Sequence, residues 1–172
     1  MKILGIDPGY AIVGFGAVEY NGYSFKMLDY GAITTNAGVR FDLRLNDIYD
    51  GMCALLSRVR PDALSIERLY FTTNHTTAID VAQARGVILL SAVRSGVPVF
   101  EYTPLQVKQS IVGYGKAEKK QVMEMTRIFL HLDAVPKPDD AADALALAIC
   151  HAHSASSRIP HSAAVKNMNS LK

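Results

Sequence analysis

Cysteine, long apolar runs and net charge are all scarce in this sequence of 172 residues. Its two cysteines, Cys53 and Cys150, have no C-x-x-C partner, which excludes the usual spacing of a disulfide scaffold or a zinc site and fits a reducing compartment. We expect both cysteines to be core residues. The longest uncharged apolar stretch, GVILLSAV at 86–93, is too short to cross a bilayer. The sequence therefore predicts a soluble, cytoplasmic protein that is not secreted.

Charge is nearly balanced overall but unevenly distributed. The formal net charge is only +2, yet the segment 104–131 carries five basic residues against two acids, and the segment 154–172 carries no acid. A basic stretch and a basic tail fit a polyanion such as nucleic acid. A solvated helix face explains the same pattern. Charge alone leaves both interpretations open.

Hydrophobic periodicity and turn residues predict one α/β domain over residues 1–153, followed by a disordered basic tail at 154–172. The Asn21-Gly22 pair indicates a hairpin, so the first three strands are expected to be antiparallel. The order of elements predicts a mixed five-stranded sheet flanked by helices. Strands are predicted at 2–7, 11–20, 23–35, 63–67 and 97–102, and helices at about 40–59, 76–95, 104–112, 117–131 and from 139 onward.

Acidic residues end two of the apolar strands and begin the last helix. Asp7 follows LGI and Glu67 follows LSI, so their carboxylates meet if those strands are neighbours. In DDAADALALAI, residues 139–149, Asp140 and Asp143 share one helix surface, whereas Asp139 points about 100° away. Converging carboxylates repel one another unless a hard cation lies among them, and oxygen ligands suit Mg²⁺ or Mn²⁺. The pattern predicts a metal site.

Each acidic motif also has an ordinary structural explanation. Asp7-Pro8-Gly9 is a common turn, Glu67 can simply end a strand, and the three aspartates can cap a helix. Capping alone does not explain two acids at strand ends together with a pair at i and i+3, so the metal site is favoured. His151 and His153 are two residues apart and face different sides of a helix, which makes them poor co-ligands.

The sequence resembles a known family in five ordered segments between residue 2 and about 153. The segments are GIDPG, SIE, QARGV, VFEYTPLQVKQSIVGYGKAEKKQV and DDAADALALAICHAH. They resemble the bacterial RuvC Holliday-junction resolvases, which are members of the ribonuclease H-like nuclease superfamily. The resemblance implies a homodimer that binds a four-way DNA junction and makes two symmetric nicks in homologous recombination and DNA repair. It also implies Mg²⁺, with two ions per active site and Mn²⁺ as a substitute, and coupling to the RuvA and RuvB branch-migration proteins.

The resemblance assigns roles to particular residues. The catalytic, metal-binding acids of the family fall on Asp7, Glu67, Asp140 and Asp143. Asp139 is an extra acid beside the motif, and a register error of one residue would exchange it with Asp140, although the spacing to Asp143 favours Asp140.

Three further assignments concern DNA and the second subunit. The family's DNA-contacting lysines fall on Lys108 and Lys119, and helix 76–95 is implied to form the dimer interface. The family often has Phe three residues after its glutamate, for stacking on junction bases. Here Tyr70 stands at that position and Phe71 follows, so the resemblance leaves open which ring stacks.

Rival classes fit the sequence less well. Actin-like and sugar-kinase ATPases also begin with a Gly-Ile-Asp-x-Gly turn that holds phosphate, but they need a second lobe for which 172 residues leave no room. A catalytically inactive junction-binding module would tolerate loss of acids, yet all four are present. A smaller ribosomal-RNA-processing nuclease of the same superfamily shares the first motif, but QARGV and VKQ fit the resolvases better.

Overall fold

The computed structural model describes residues 1–69 and 75–156 of the chain. Three strands come first, and helices then alternate with the two remaining strands before three helices end the described chain. The strands are β1 (Lys2–Asp7), β2 (Ile12–Tyr20), β3 (Phe25–Thr34), β4 (Ala63–Glu67) and β5 (Val99–Tyr102). The helices are α1 (Phe41–Val59), α2 (His75–Arg94), α3 (Pro104–Val112), α4 (Lys119–Phe129) and α5 (Asp139–Ser156).

The five strands form one mixed sheet in the order β3-β2-β1-β4-β5. β1, β2 and β3 are antiparallel neighbours, whereas β4 lies parallel to both β1 and β5. In the register of β1 and β4, Ile6 lies opposite Ile66. The next residues, Asp7 and Glu67, therefore end two parallel neighbours at the same edge of the sheet. The predicted mixed five-stranded sheet is confirmed, and β1 and β4 are neighbours, which was the condition for the two carboxylates to meet.

Helices cover both faces of the sheet. Leu4, Ile6, Leu64 and Ile66 face α1 and α2, where they join a buried cluster with residues such as Met52. Successive residues of a strand point to opposite faces, and Ile3 accordingly belongs to the second cluster, which includes residues of α3, α4 and α5. The odd-numbered residues of β1, including Asp7, are thus directed toward α5.

The helix α5 lies unusually close to β1 and β2 because the strands have glycine where the helix crosses them. A Cβ atom on Gly5 would stand 1.9 Å from the carbonyl oxygen of Ala144, and one on Gly14 would stand 2.2 Å from that of Asp140. The helix contributes small side chains, and Ala144 and Ala148 are completely buried. Alanine at 144 and at 148, four residues apart on one face of the helix, is explained by this close contact.

Several details differ from the sequence-based predictions, and two of them are the bounds of β3, predicted at 23–35, and the start of β5, predicted at 97. α4 begins at Lys119 rather than at 117, because Glu118 has an extended backbone and forms a capping box with Gln121. Cys150 is buried as expected, but Cys53 is only half-buried on α1. α5 continues to Ser156, beyond the predicted start of a disordered tail at 154, and residues 157–172 lie outside the described part. Within residues 1–69 and 75–156, no helix is long and apolar enough to span a membrane.

Candidate active site

Strand alternation places Asp7 and Glu67 on the face of the sheet that α5 covers. Ser65 lies two residues before Glu67 on β4, and its hydroxyl donates a hydrogen bond of 2.7 Å to the carbonyl oxygen of Leu147 on α5. Since Ser65 and Glu67 project from the same face, this buried bond ties the end of β4 to the helix. Both strand-end carboxylates are therefore held beside the first two turns of α5.

The start of α5 brings Asp140 and Asp143 over the end of β1. Gly14 is the residue of β2 that pairs with Asp7, and it lies directly beneath Asp140. A side chain at position 14 would push the helix away from the sheet. Asp143 lies three residues further along α5, on nearly the same side of the helix as Asp140. The fold thus brings the acids of β1, β4 and α5, which are far apart in the sequence, into one cluster.

The electrostatics of Asp7 show that the four acids interact. Burial, and after it the carboxylates of Glu67, Asp143 and Asp140 in that order, together raise its pKa to about 7 against the opposing effect of Lys119. The pKa of Glu67 is raised by burial and then by Asp143. Asp139 does not contribute to the shift in the pKa of Asp7. The cluster that the sequence predicted is therefore formed by Asp7, Glu67, Asp140 and Asp143.

Lys119 is the cation of this cluster. It is the first residue of α4, and its Nζ lies 2.8 Å from Oδ2 of Asp143 and 4.0 Å from Oδ2 of Asp139. The hydrogen bond with Asp143 raises the pKa of Lys119. Asp139 is held from its other side by Lys137, whose Nζ lies 2.7 Å from Oδ1. The extra acid of the motif is therefore paired with lysines.

A pocket of about 180 Å³ opens between α3, α4 and the acidic cluster. Its polar lining consists of Glu67, Lys108, Lys119 and Asp143, and its walls are apolar. The two lysines singled out by the sequence thus line the same pocket as two of the acids. They therefore lie beside the acidic cluster rather than on a remote surface.

A divalent cation fits the donor chemistry of the cluster. All four acids offer carboxylate oxygens, which hard cations such as Mg²⁺ prefer. The raised pKa of Asp7 reflects burial first and repulsion from the other carboxylates second, and a bound cation relieves that repulsion. Within the part of the chain that the structure describes, however, no three His, Cys, Asp or Glu side chains are arranged to hold a metal ion. The acids converge, but they are not closed into a ligand cage.

One supporting residue was missed by the sequence reasoning. Arg85 on α2 forms an ion pair with Glu101 on β5, and its Nε donates to the carbonyl oxygen of Glu67 over 3.4 Å. The guanidinium thereby connects the end of β4 to α2 and β5. QARGV contains this arginine, but the motif gives no signal of its partner, because Glu101 lies 16 residues away on another strand.

The two histidines of α5 contact different residues. Nδ1 of His151 is 2.8 Å from the hydroxyl of Tyr102, and Nδ1 of His153 is 3.1 Å from the hydroxyl of Ser110. The two rings thus face different neighbours, as their spacing on the helix predicted. Tyr70 and Phe71 lie outside the described residues, so the predicted stacking ring stays a prediction.

Comparison with known proteins gives consistent matches over almost the whole described chain. The family described as "Crossover junction endodeoxyribonuclease RuvC" matches residues 3–151. The proteins of that name from Brevibacillus brevis and Ruminiclostridium cellulolyticum are 58% and 56% identical, over 88% and 90% of this chain and 92% and 93% of their own lengths. A solved structure described as "T. thermophilus RuvC in complex with Holliday junction substrate" has a TM-score of 0.87 and 36% identity, covering 91% of this chain and 95% of that one.

Proposed function

The chain belongs to the RuvC family of crossover junction endodeoxyribonucleases, and from this premise we propose that it resolves four-way DNA junctions by paired symmetric nicks. It acts in homologous recombination and DNA repair in the cytoplasm. The observation that carries the proposal is the convergence of Asp7, Glu67, Asp140 and Asp143 where β1, β4 and α5 meet. Hydrolysis of a phosphodiester requires charge stabilisation at phosphorus, and a carboxylate cluster of this kind is suited to supply it through metal ions.

The four acids are the proposed ligands of Mg²⁺, with two ions per site and Mn²⁺ able to substitute. When bound, the ions lower the pKa of a water molecule and stabilise charge on the leaving oxygen. Asp7, whose pKa the other three carboxylates raise, would be the ligand shared by both ions. Glu67 and Asp143 each complete one site, and Asp140 ligates or orients. Arg85 keeps the end of β4 in place.

The proposed DNA contacts lie around the pocket beside the acids. Lys108 and Lys119 line that pocket, and their ammonium groups are suited to hold the phosphates on either side of the cleaved bond. Tyr70 is the proposed stacking ring, with Phe71 as the alternative, because an aromatic side chain near Glu67 can hold a base that is unpaired at the junction centre.

The second subunit is proposed to bind along α2. Ile79, Leu90 and Val93 are apolar side chains that remain exposed on this helix in the single chain, by 53–68% of their surface. Gly86 recurs at heptad spacing from Ile79, and a Cβ built there meets nothing within 4 Å. A stripe of this kind with a small residue at its centre permits close crossing of two helices. A homodimer gives two active sites for two nicks, and RuvA and RuvB are the proposed partners in branch migration.

A nicking assay tests the proposed function. A synthetic four-way junction and a linear duplex of the same sequence are incubated with the protein, in parallel with Mg²⁺ or with EDTA. We expect symmetric nicks in the junction only, and only with Mg²⁺. Equal cutting of both substrates would contradict the resolvase proposal, and cutting in EDTA would contradict the metal requirement.

A further inference from the structure

We propose that Lys119 is an internal counter-cation of the active site, which competes with a divalent metal ion for Asp143 and is released to Asp139 when the metal binds. This inference rests on the proposed metal site and deepens it. It assigns a role to Asp139, the acid that stands beside the catalytic quartet without belonging to it.

The first step concerns the position of Lys119. Its Nζ lies 2.8 Å from Oδ2 of Asp143, an oxygen that a metal ion would use. Lys119 also lowers the pKa of Asp7 and of Glu67, so its charge acts on three acids of the cluster. An ammonium group in this position compensates part of the carboxylate repulsion. A metal ion that binds Asp143 through the same oxygen repels the ammonium group and competes with it for the carboxylate.

The second step concerns where the ammonium goes. Oδ2 of Asp139 lies 4.0 Å from the same Nζ, so a shift of about 1.2 Å brings it to the hydrogen-bond distance that it now has with Asp143. Lys137 occupies the other oxygen, Oδ1, of Asp139. Oδ2 is therefore the oxygen that Asp139 presents to Lys119. With this second partner, Lys119 keeps one ion pair after it leaves Asp143.

The third step concerns cost. The side chains of Lys119, Asp139 and Asp143 are 56%, 47% and 29% exposed, and ion pairs between side chains that solvent reaches contribute little free energy each. Exchange between the two partners is therefore inexpensive, and it is possible at ambient temperature. A buried lysine in the same place would block the metal rather than yield to it. Asp139 is accordingly a positioning residue that acts through Lys119.

The test is Mn²⁺ binding to the protein without DNA, measured from the electron paramagnetic resonance signal of free Mn²⁺. Lys119→Met should tighten binding about two- to five-fold, equivalent to ~0.4–1 kcal/mol. Lys119→Arg keeps the charge and should stay close to wild type. Lys120→Met removes the same charge from the exposed neighbouring residue of α4 and is the matched control, with little expected change. Thermal melts check that each variant is folded.

A double-mutant cycle separates this role of Asp139 from a general effect of its charge. Asp139→Asn should weaken Mn²⁺ binding in the wild-type background, because Lys119 then stays on Asp143. In the Lys119→Met background the same substitution should have a much smaller effect. Equal weakening in both backgrounds would show that Asp139 acts by charge alone and would overturn the inference, as would unchanged binding in Lys119→Met. If the wild-type protein binds no Mn²⁺, the proposed metal site itself is wrong, and the inference falls with it.

Discussion

Replacement of Gly14 by alanine should separate catalysis from DNA binding. The added Cβ would stand 2.2 Å from the carbonyl oxygen of Asp140 and 2.7 Å from its Cβ. Ordinary contact begins at 3.4 Å, so the start of α5 has to move by about 1.2 Å or the chain carries the strain of an overpacked core. Movement of the helix displaces Asp140 from Asp7, whereas Lys108 and Lys119 are on α3 and α4.

The magnitudes follow from the size of that displacement. Overpacking of this kind costs about 1–3 kcal/mol, which lowers the Tm by roughly 2–12 °C in a chain of this size. A misplacement of about 1 Å at reacting groups costs on the order of 100-fold in rate. We therefore expect Gly14→Ala to cut junctions about 100-fold more slowly, while its Kd for the junction changes by less than about three-fold.

The assay combines single-turnover cleavage, junction binding by anisotropy in EDTA, and thermal unfolding. Gly38→Ala is the matched control, because a Cβ at Gly38 meets only Oδ1 of Asn36 at 3.5 Å, which is ordinary contact. A Gly14→Ala protein that is as stable and as fast as wild type would refute the reasoning that this glycine sets the position of the catalytic helix. Loss of junction binding in parallel with cleavage would refute the separation of the two functions.

Four further predictions concern the acids, the DNA contacts and pH. Asp7→Asn or Glu67→Gln should abolish cleavage of a labelled junction and leave its binding in a gel-shift assay intact, and more than a few per cent residual cutting by both would count against the site. The pKa of Asp7 is raised to about 7, so between about pH 4 and pH 7 the folded metal-free protein holds a proton that the unfolded chain releases. The free energy of unfolding should therefore fall as pH rises from about 4 to about 7. Urea unfolding in EDTA should show this pH dependence, and Asp7→Asn should reduce it. Lys108→Ala should weaken junction binding and reduce the slope of log K against log salt by about 0.9, and an unchanged slope would place this lysine away from DNA. Tyr70→Ala should slow cleavage about ten-fold, equivalent to ~1.4 kcal/mol, with Tyr70→Phe nearly silent; if Phe71→Ala alone is impaired, the stacking ring is the neighbouring one.

Local sequence signals were sufficient to predict the elements that carry the acids. β1 and β4 have the predicted bounds because each is a short apolar run stopped by a turn or a charge. α3 begins at Pro104 as predicted, since proline suits the first turn of a helix and Thr103 caps it. Asp140 rather than Asp139 interacts with Asp7, as the helical spacing indicated.

Long-range partners could not be predicted in the same way. Nothing near Lys119 in the sequence indicates that its ammonium meets Asp143, because the two residues are joined only by the packing of α4 on α5. The same holds for Ser65 and Leu147, whose hydrogen bond connects residues 82 positions apart. The start of α4 was misplaced because the capping box between Glu118 and Gln121 has glutamate at its first position, where the recognisable sequence signal has Ser, Thr, Asp or Asn.

The contact between Gly14 and α5 also limits how this enzyme can change. The nearest atoms above Gly14 are mainly the backbone carbonyl of Asp140, and a carbonyl group is the same whichever amino acid carries it. A larger residue at position 14 therefore has no compensating substitution on the helix, since no exchange of side chains there removes the clash. To remove the clash, the whole of α5 would have to move, and Asp140 and Asp143 would move with it. In a genetic selection, a substitution at position 14 should therefore be rescued by reversion to glycine and not by a second substitution on the facing part of α5.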